Sequence, residues 1–201
     1  MITFSQNKIP YYYSAKDFAE LHNNSKNGLS RFIKTTFDCF GKGINLSDFE
    51  IRLMIAIFAD GSFHSVPGHD PLYCCFNLKK ERKKQRLEWL LQQCNITYKK
   101  TISSVQGFHR YTFYAPMREK HFPKEWYQCT QKQFEIICDE VLYWDGHINN
   151  KKRSYSTTNS EDADFIQFAY TVLGQRSTKY IYMTDATRKK LQKIKNTFVK
   201  I

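Results

Sequence analysis

An α+β fold made of two similar halves, each an α-β-β-α-β-β unit, is what this 201-residue sequence predicts. Three observations point there. Two mostly apolar helical runs each close on the dipeptide Asp-Gly, at Asp60-Gly61 and Asp145-Gly146. Each dipeptide is followed by a hairpin, a helix and further strand, which is an internal repeat by element order. The chain is also 41% hydrophobic and 16% aromatic, which supplies a real core and excludes disorder over most of its length. The halves read as residues 45–119 and 120–201, behind an N-terminal lead-in or cap at 1–44. Both apolar helical runs are expected to be buried, with antiparallel strands beside them.

In the lead-in, YYYSAKDFAELHNN reads as a short strand into a helix, and NNSKNG at 23–28 is turn chemistry. The stretch NLSDFEIRLMIAIFADGSF, residues 45–63, opens on a capping box, Ser47 with Glu50. Its apolar residues fall on every side, so the helix is buried on more than one face. Gly61 then lets the chain leave without a Cβ clash. SFHSVPGHDPLYCCFNL reads as a hairpin turning at Pro67–Pro71. KKERKKQRLEWLLQQCN reads as a helix with Leu87, Leu90, Leu91 and Cys94 on one face and a basic start, stopped by Asn95. ITYKKTISS and FHRYTFYAP are two strands around Gly107.

The linker REKHFPKEWYQ leads into the second half. Thr130 and Gln133 repeat the capping box ahead of the second apolar run. Asp139 and Glu140 lie inside that run and read as facing outward, with assistance to a metal as the alternative for one of them. HINNKKRSYSTT is a hairpin turning near Asn149-Asn150, and a helix follows with Phe165, Phe168, Ala169 and Val172, stopped by Gly174. TKYIYMT is one strand. TDATRKKLQKIKNTFVKI reads as a basic helix with Leu191, Ile194 and Phe198 on one side. On this reading the second repeat is truncated by one strand relative to the first.

LMIAIFADG, residues 53–61, resembles the signature helix of the LAGLIDADG homing endonucleases, and CDEVLYWDG, residues 138–146, resembles a degenerate second copy. The resemblance implies a homing-endonuclease-like pseudo-dimer, two central helices packed side by side under antiparallel, saddle-like sheets, acting on double-stranded DNA as a single-chain monomer. It implies that each helix ends in an acid that binds a divalent metal, Mg2+ or Mn2+, so Asp60 and Asp145 are the catalytic and metal-binding residues, with Gly61 and Gly146 in the same metal site. It also implies a catalytic lysine ahead of a hydrophobic-Pro pair, which Lys120-His121-Phe122-Pro123 matches; Lys179 is the candidate counterpart. The chemistry suits phosphodiester hydrolysis. A hard cation takes oxygen ligands, neutralises phosphate charge and lowers the pKa of an attacking water. Like-charged carboxylates raise one pKa unless a cation lies between them.

The formal charge of +12, from 31 basic and 19 acidic residues, favours a polyanionic partner. Candidate groove-facing residues on the strands are Ser62, His64, Lys100, Arg110, Lys151, Arg153 and Tyr155. Lys79, Lys80, Lys83, Lys84 and Lys189 read as phosphate or solvent contacts. No run reaches the length of a membrane span, and the six cysteines read as reduced, mostly buried residues of a cytoplasmic protein of phage or bacterial origin. His64, His69, Cys74 and Cys75 match no standard zinc spacing. Residues 1–44 also resemble sequence that precedes the endonuclease part of some phage-type inteins, without a splicing nucleophile at Met1; a plain structural cap is the other reading. Three functions compete: a site-specific homing endonuclease of intein or intron type, a non-cleaving DNA-binding regulator on the same fold, and an RNA-binding intron maturase.

Overall fold

The structure, a computed structural model, describes residues 2–6, 9–13, 16, 20, 40–63, 72–102, 107–149, 152–182 and 196–200. His64, Lys151, Lys189, the Pro67–Pro71 turn and most of the expected lead-in helix lie outside the described residues. The lead-in contributes an antiparallel hairpin of β1 (Ile2–Gln6) and β2 (Ile9–Tyr13). The first repeat then runs α1 (Asp48–Asp60), β3 (Gly61–Phe63), β4 (Tyr73–Leu78), α2 (Glu81–Gln93), β5 (Tyr98–Ile102) and β6 (His109–Tyr114). A 3-10 turn at Lys124–Gln128 leads to the second: α3 (Gln131–Trp144), β7 (Gly146–Asn149), β8 (Lys152–Thr157), α4 (Ser160–Val172), β9 (Thr178–Tyr182) and β10 (Asn196–Lys200).

Both central helices start as expected. The Glu50 amide donates to Ser47 Oγ, and the Ser47 amide donates to Glu50 Oε2 at 2.8 Å. Thr130 and Gln133 make the same reciprocal pair. Each cap satisfies amides that have no partner inside the helix. Ser47→Ala is therefore expected to cost about 1 kcal/mol, read as a fall of roughly 2–4 °C in the thermal midpoint; an unchanged midpoint would contradict the cap.

Ile51 and Leu53 through Ile57 are buried. That continuous run explains why α1 needs cover on all sides: it packs against α3, α2, β3 and β4, while α3 packs against α1, α4, β7 and β8. Each central helix thus has its own sheet and its own outer helix. Aromatic rings close the second repeat, with Phe122 stacked on Phe165 at 4.5 Å and Phe134 beside both Phe165 and Phe168.

The tail corrects the sequence reading. Residues 196–200 are not the end of a basic helix but strand β10, paired antiparallel with both β8 and β9. Thr197, Phe198 and Val199 are β-branched or aromatic, the residue types that suit a strand. The second sheet therefore has four strands in the order β7-β8-β10-β9, matching β3-β4-β6-β5 in the first. The second repeat is complete, and each strand has a counterpart: β3 with β7, β4 with β8, β5 with β9, β6 with β10.

Gly61 and Gly146 are required by space rather than by backbone angle. Gly61 has φ −75°, an ordinary value. A Cβ on Gly61 would lie 2.8 Å from the Ile57 carbonyl oxygen, and one on Gly146 would lie 2.3 Å from Leu142 Cα. The chain must leave each helix by folding back against its last turn. Gly146→Ala is expected to cost about 1–3 kcal/mol, read by chemical denaturation, because the obstruction is main chain and cannot rotate away.

Candidate active site and nucleic-acid interface

The two helix C-termini bring Asp60 and Asp145 to one place. Lys83, from α2, reports their proximity: its Nζ donates to Asp60 Oδ2 at 2.5 Å and lies 3.9 Å from Asp145 Oδ1. The Asp145 carboxyl is pushed up from its ordinary value, first by burial and then by the charge of Asp60, while Lys83 and Lys120 pull it back. A carboxylate pair of this kind carries a repulsive cost that a cation offsets.

Lys120 approaches from the linker. Its Nζ donates to the carbonyls of Ile57 (2.7 Å), Phe58 (2.9 Å) and Gly61 (2.5 Å). These carbonyls close the end of α1, where the helix leaves acceptors unpaired and the partial charge is negative. Burial holds the Lys120 ammonium below its ordinary range, against the opposing pull of its acidic neighbours. All three of its donors are engaged, so in this state it orders the end of α1 directly beside the acids. The linker is itself anchored: Asp162, buried on α4, accepts from the Phe122 amide at 3.0 Å and lies 2.8 Å from His121 Nδ1. Lys120, His121, Asp145 and Asp162, with Phe58 and Tyr155, line a cleft of about 480 Å3 beside the acid pair.

The fit to a hard divalent cation rests on two converging oxygen ligands. Asp60 and Asp145 are the residues that would hold it, with water and a phosphate supplying the rest. The Gly61 carbonyl accepts from Lys120 Nζ, and Gly146 directly follows Asp145 in the chain. Among the described residues no cluster of three or more His, Cys, Asp or Glu side chains is placed for a metal.

The basic start of α2 departs from its sequence reading. Lys83 is buried against the acids, and exposed Arg82 and half-buried Arg86 reach across to the second repeat. Arg82 donates to the Tyr143 carbonyl at 2.5 Å, and Tyr143 donates its hydroxyl to the Arg82 carbonyl at 2.6 Å. Arg86 makes a bidentate pair with Glu140. Lys84 is buried and pairs with Glu81 at 3.4 Å. Lys79 and Lys80 stay exposed. Of the two acids inside α3, Asp139 faces outward as expected, but Glu140 is 1% exposed; it also accepts from Arg52 on α1 at 2.8 Å and from Trp144 Nε1 at 2.8 Å.

Strand register sorts the candidate DNA-facing residues. Ser62 lies opposite Cys75, Cys75 opposite Thr112, and Asn77 opposite Arg110, so Ser62 and Arg110 share the sheet face turned away from the helices. Lys100 does not. It pairs with Tyr111, which is fully buried on the helix side, and its Nζ donates to Glu88 of α2 at 2.7 Å. Lys99, one residue earlier, takes the outer face, since a shift of one residue exchanges the faces of a strand. Tyr155 is likewise turned inward and buried, opposite Gly146 as Phe76 is opposite Gly61. Arg153 is exposed but shares its parity, at the rim of a cleft with Asp139 and Tyr143. Lys179 is the counterpart of Lys100 on β9: it donates to Asp164 of α4 at 2.6 Å and to Ser160 Oγ at 3.0 Å. Exposed His147 and Asn149 and half-buried Ser154 and Ser156 occupy the outer face of the second sheet.

No family model matches this sequence, and no curated protein matches it. Solved structures do. The homing endonuclease I-DmoI in complex with DNA and Mn superposes with a TM-score of 0.53 at 14% identity, covering 78% of this chain and 90% of that one. The same protein with DNA and Ca gives 0.54 at 14% identity, covering 79% and 84%. Full-length DUF199/WhiA from Thermatoga maritima gives 0.50 at 10% identity, covering 80% of this chain and 54% of that one. This chain has a LAGLIDADG homing-endonuclease-like fold. At such identities the likeness concerns the fold.

Proposed function

We propose that this LAGLIDADG-type chain is a site-specific endonuclease that hydrolyses phosphodiester bonds of double-stranded DNA with Mg2+ or Mn2+. The observation that carries the reading is the convergence of Asp60 and Asp145 at the paired ends of α1 and α3, from which the first strands of two four-stranded sheets depart. Structures of the fold neighbour I-DmoI with DNA and with Mn or Ca support a DNA partner and a divalent ion. When bound, the metal ion supplies charge neutralisation at the phosphate and a more acidic water. The chain does the rest. Asp60 and Asp145 offer the oxygen ligands, Lys120 fixes the end of α1 that carries Asp60, and Asp162 fixes the linker that carries Lys120. On the outer sheet faces Ser62, Lys99, Arg110, His147, Asn149, Ser154 and Ser156 meet the duplex, and the net charge of +12 strengthens binding to the phosphate backbone.

The test is to incubate the protein with a genomic DNA library and Mg2+, then map the new ends. Recurrent ends that vanish with EDTA support the proposal; none across Mg2+ and Mn2+ rejects it. A DNA-binding protein without cleavage is the second reading, and the placement of the Lys83 ammonium between the two acids favours it. That reading expects duplex binding at nanomolar to micromolar levels with no metal-dependent nicking.

A further inference from the structure

Lys83 lies on α2, outside both central helices that end in Asp-Gly. Yet among the described residues it is the cation within 4 Å of both acids. Its side chain is buried, its Nζ is 2.5 Å from Asp60 and 3.9 Å from Asp145, and it lies over the Trp144 ring at 5.5 Å. Neighbours on the same helix hold it there: Arg82 is tied to the Tyr143 carbonyl and Arg86 to Glu140. The ammonium is therefore delivered by a docked helix rather than by a free side chain sampling solvent.

We infer that Lys83 is a built-in counter-ion that competes with the divalent metal ion for the Asp60–Asp145 pair and so sets the metal concentration at which the site loads. The inference rests on the proposed function only in taking these two acids as the metal ligands. An ammonium offers three donors and one positive charge, placed at 2.5 Å from one carboxylate and 3.9 Å from the other. A divalent ion arriving at the same oxygens meets that positive charge at contact distance, so it binds only as Lys83 yields. The longer 3.9 Å contact marks Asp145 as the side that opens first. Lys83 acts through the two acids, as a positioning residue.

The experiment measures Mn2+ binding, by electron paramagnetic resonance of the free ion, for the full chain without DNA. The variants are Lys83→Met, Lys83→Arg and Asp60→Asn. Methionine keeps the unbranched stem over Trp144 and removes the charge; arginine keeps the charge. K83M is expected to bind Mn2+ about tenfold more tightly than the unmodified chain, within the usual range of coupling between two sites, and K83R to bind no more tightly. Binding by K83M that is equal or weaker overturns the inference while leaving the metal site intact, provided Asp60→Asn still lowers binding. Absence of Asp60-dependent binding in every variant overturns both the inference and the nuclease reading. A second measurement uses the unmodified chain and stands whether or not K83M folds: acylation of Lys83 by an amine-reactive ester, read by mass spectrometry with and without Ca2+. Increased labelling on adding Ca2+ supports displacement, and unchanged labelling overturns it.

Discussion

Asp60→Asn is expected, on the proposed nuclease reading, to lower the metal-dependent cleavage rate on the order of a thousandfold, while duplex affinity without metal stays within a few-fold. The magnitude follows from the loss of one of two protein carboxylates at the metal, several kcal/mol of transition-state stabilisation at about 1.4 kcal/mol per tenfold. Binding persists because the residues on the outer sheet faces are untouched. Folding is expected to persist as well, since the Asp145 carboxyl, raised first by burial, then has one like charge fewer beside it, and the asparagine side-chain oxygen still accepts from Lys83. The measurement is single-turnover cleavage of a mapped target beside a gel-shift titration in EDTA. A variant that cuts as fast as the parent removes Asp60 from the chemistry and with it the paired-acid site.

The elements of the fold that local sequence dictates were legible in it. The capping boxes at Ser47 and Thr130, the all-round apolar run of α1 and the Asp-Gly exits are patterns spanning a few residues, and each has its expected structure. What was misread depended on partners far along the chain. The C-terminal segment carries lysines and spaced apolar residues that suit a helix, yet Asn196–Lys200 fills the gap between β8 and β9, which only the assembled sheet reveals. Lys100 was read as groove-facing from Tyr98–Ile102, where adjacent Lys99 and Lys100 leave no polar–apolar alternation to set the faces; the register against β6 decides it.

The candidate site divides the same way. Asp60, Asp145 and Lys120 could be picked from motif and spacing, and the fold brings them together. Lys83 could not. A basic run at a helix start looks the same whether it faces solvent, phosphate or a buried acid, and its partners Asp60, Asp145, Glu140 and the Tyr143 carbonyl come from two other helices. Reading charge from composition overcounted the cations free to meet a polyanion, because Lys83, Lys84 and Arg86 are paired with acids inside the protein.

Glu140→Ala is expected to destabilise the protein by about 3–5 kcal/mol, the cost of removing one partner from a buried ion pair. Glu140 accepts from Arg52 on α1, Arg86 on α2 and Trp144 on its own helix, so one carboxylate joins both central helices and the outer helix of the first repeat. Its loss leaves two guanidinium groups, each about a quarter exposed, facing each other across a gap, and an indole N–H without an acceptor. Desolvated groups without partners are the costly outcome, more than the bond energy itself. Partial exposure of the two arginines sets the expectation toward the lower end of that range. Chemical denaturation of the parent and variant gives the value, and a loss below about 1 kcal/mol would show the cluster to be no more than a surface pair. The triple replacement Glu140→Met, Arg52→Leu and Arg86→Met separates the two sources of the effect. If unpaired charge is the penalty, apolar side chains of similar length recover most of the loss. Because α2 would then lack its anchor at Glu140, the triple variant is also expected to hold Lys83 less firmly against Asp60, so that recovered stability and tighter Mn2+ binding rise together.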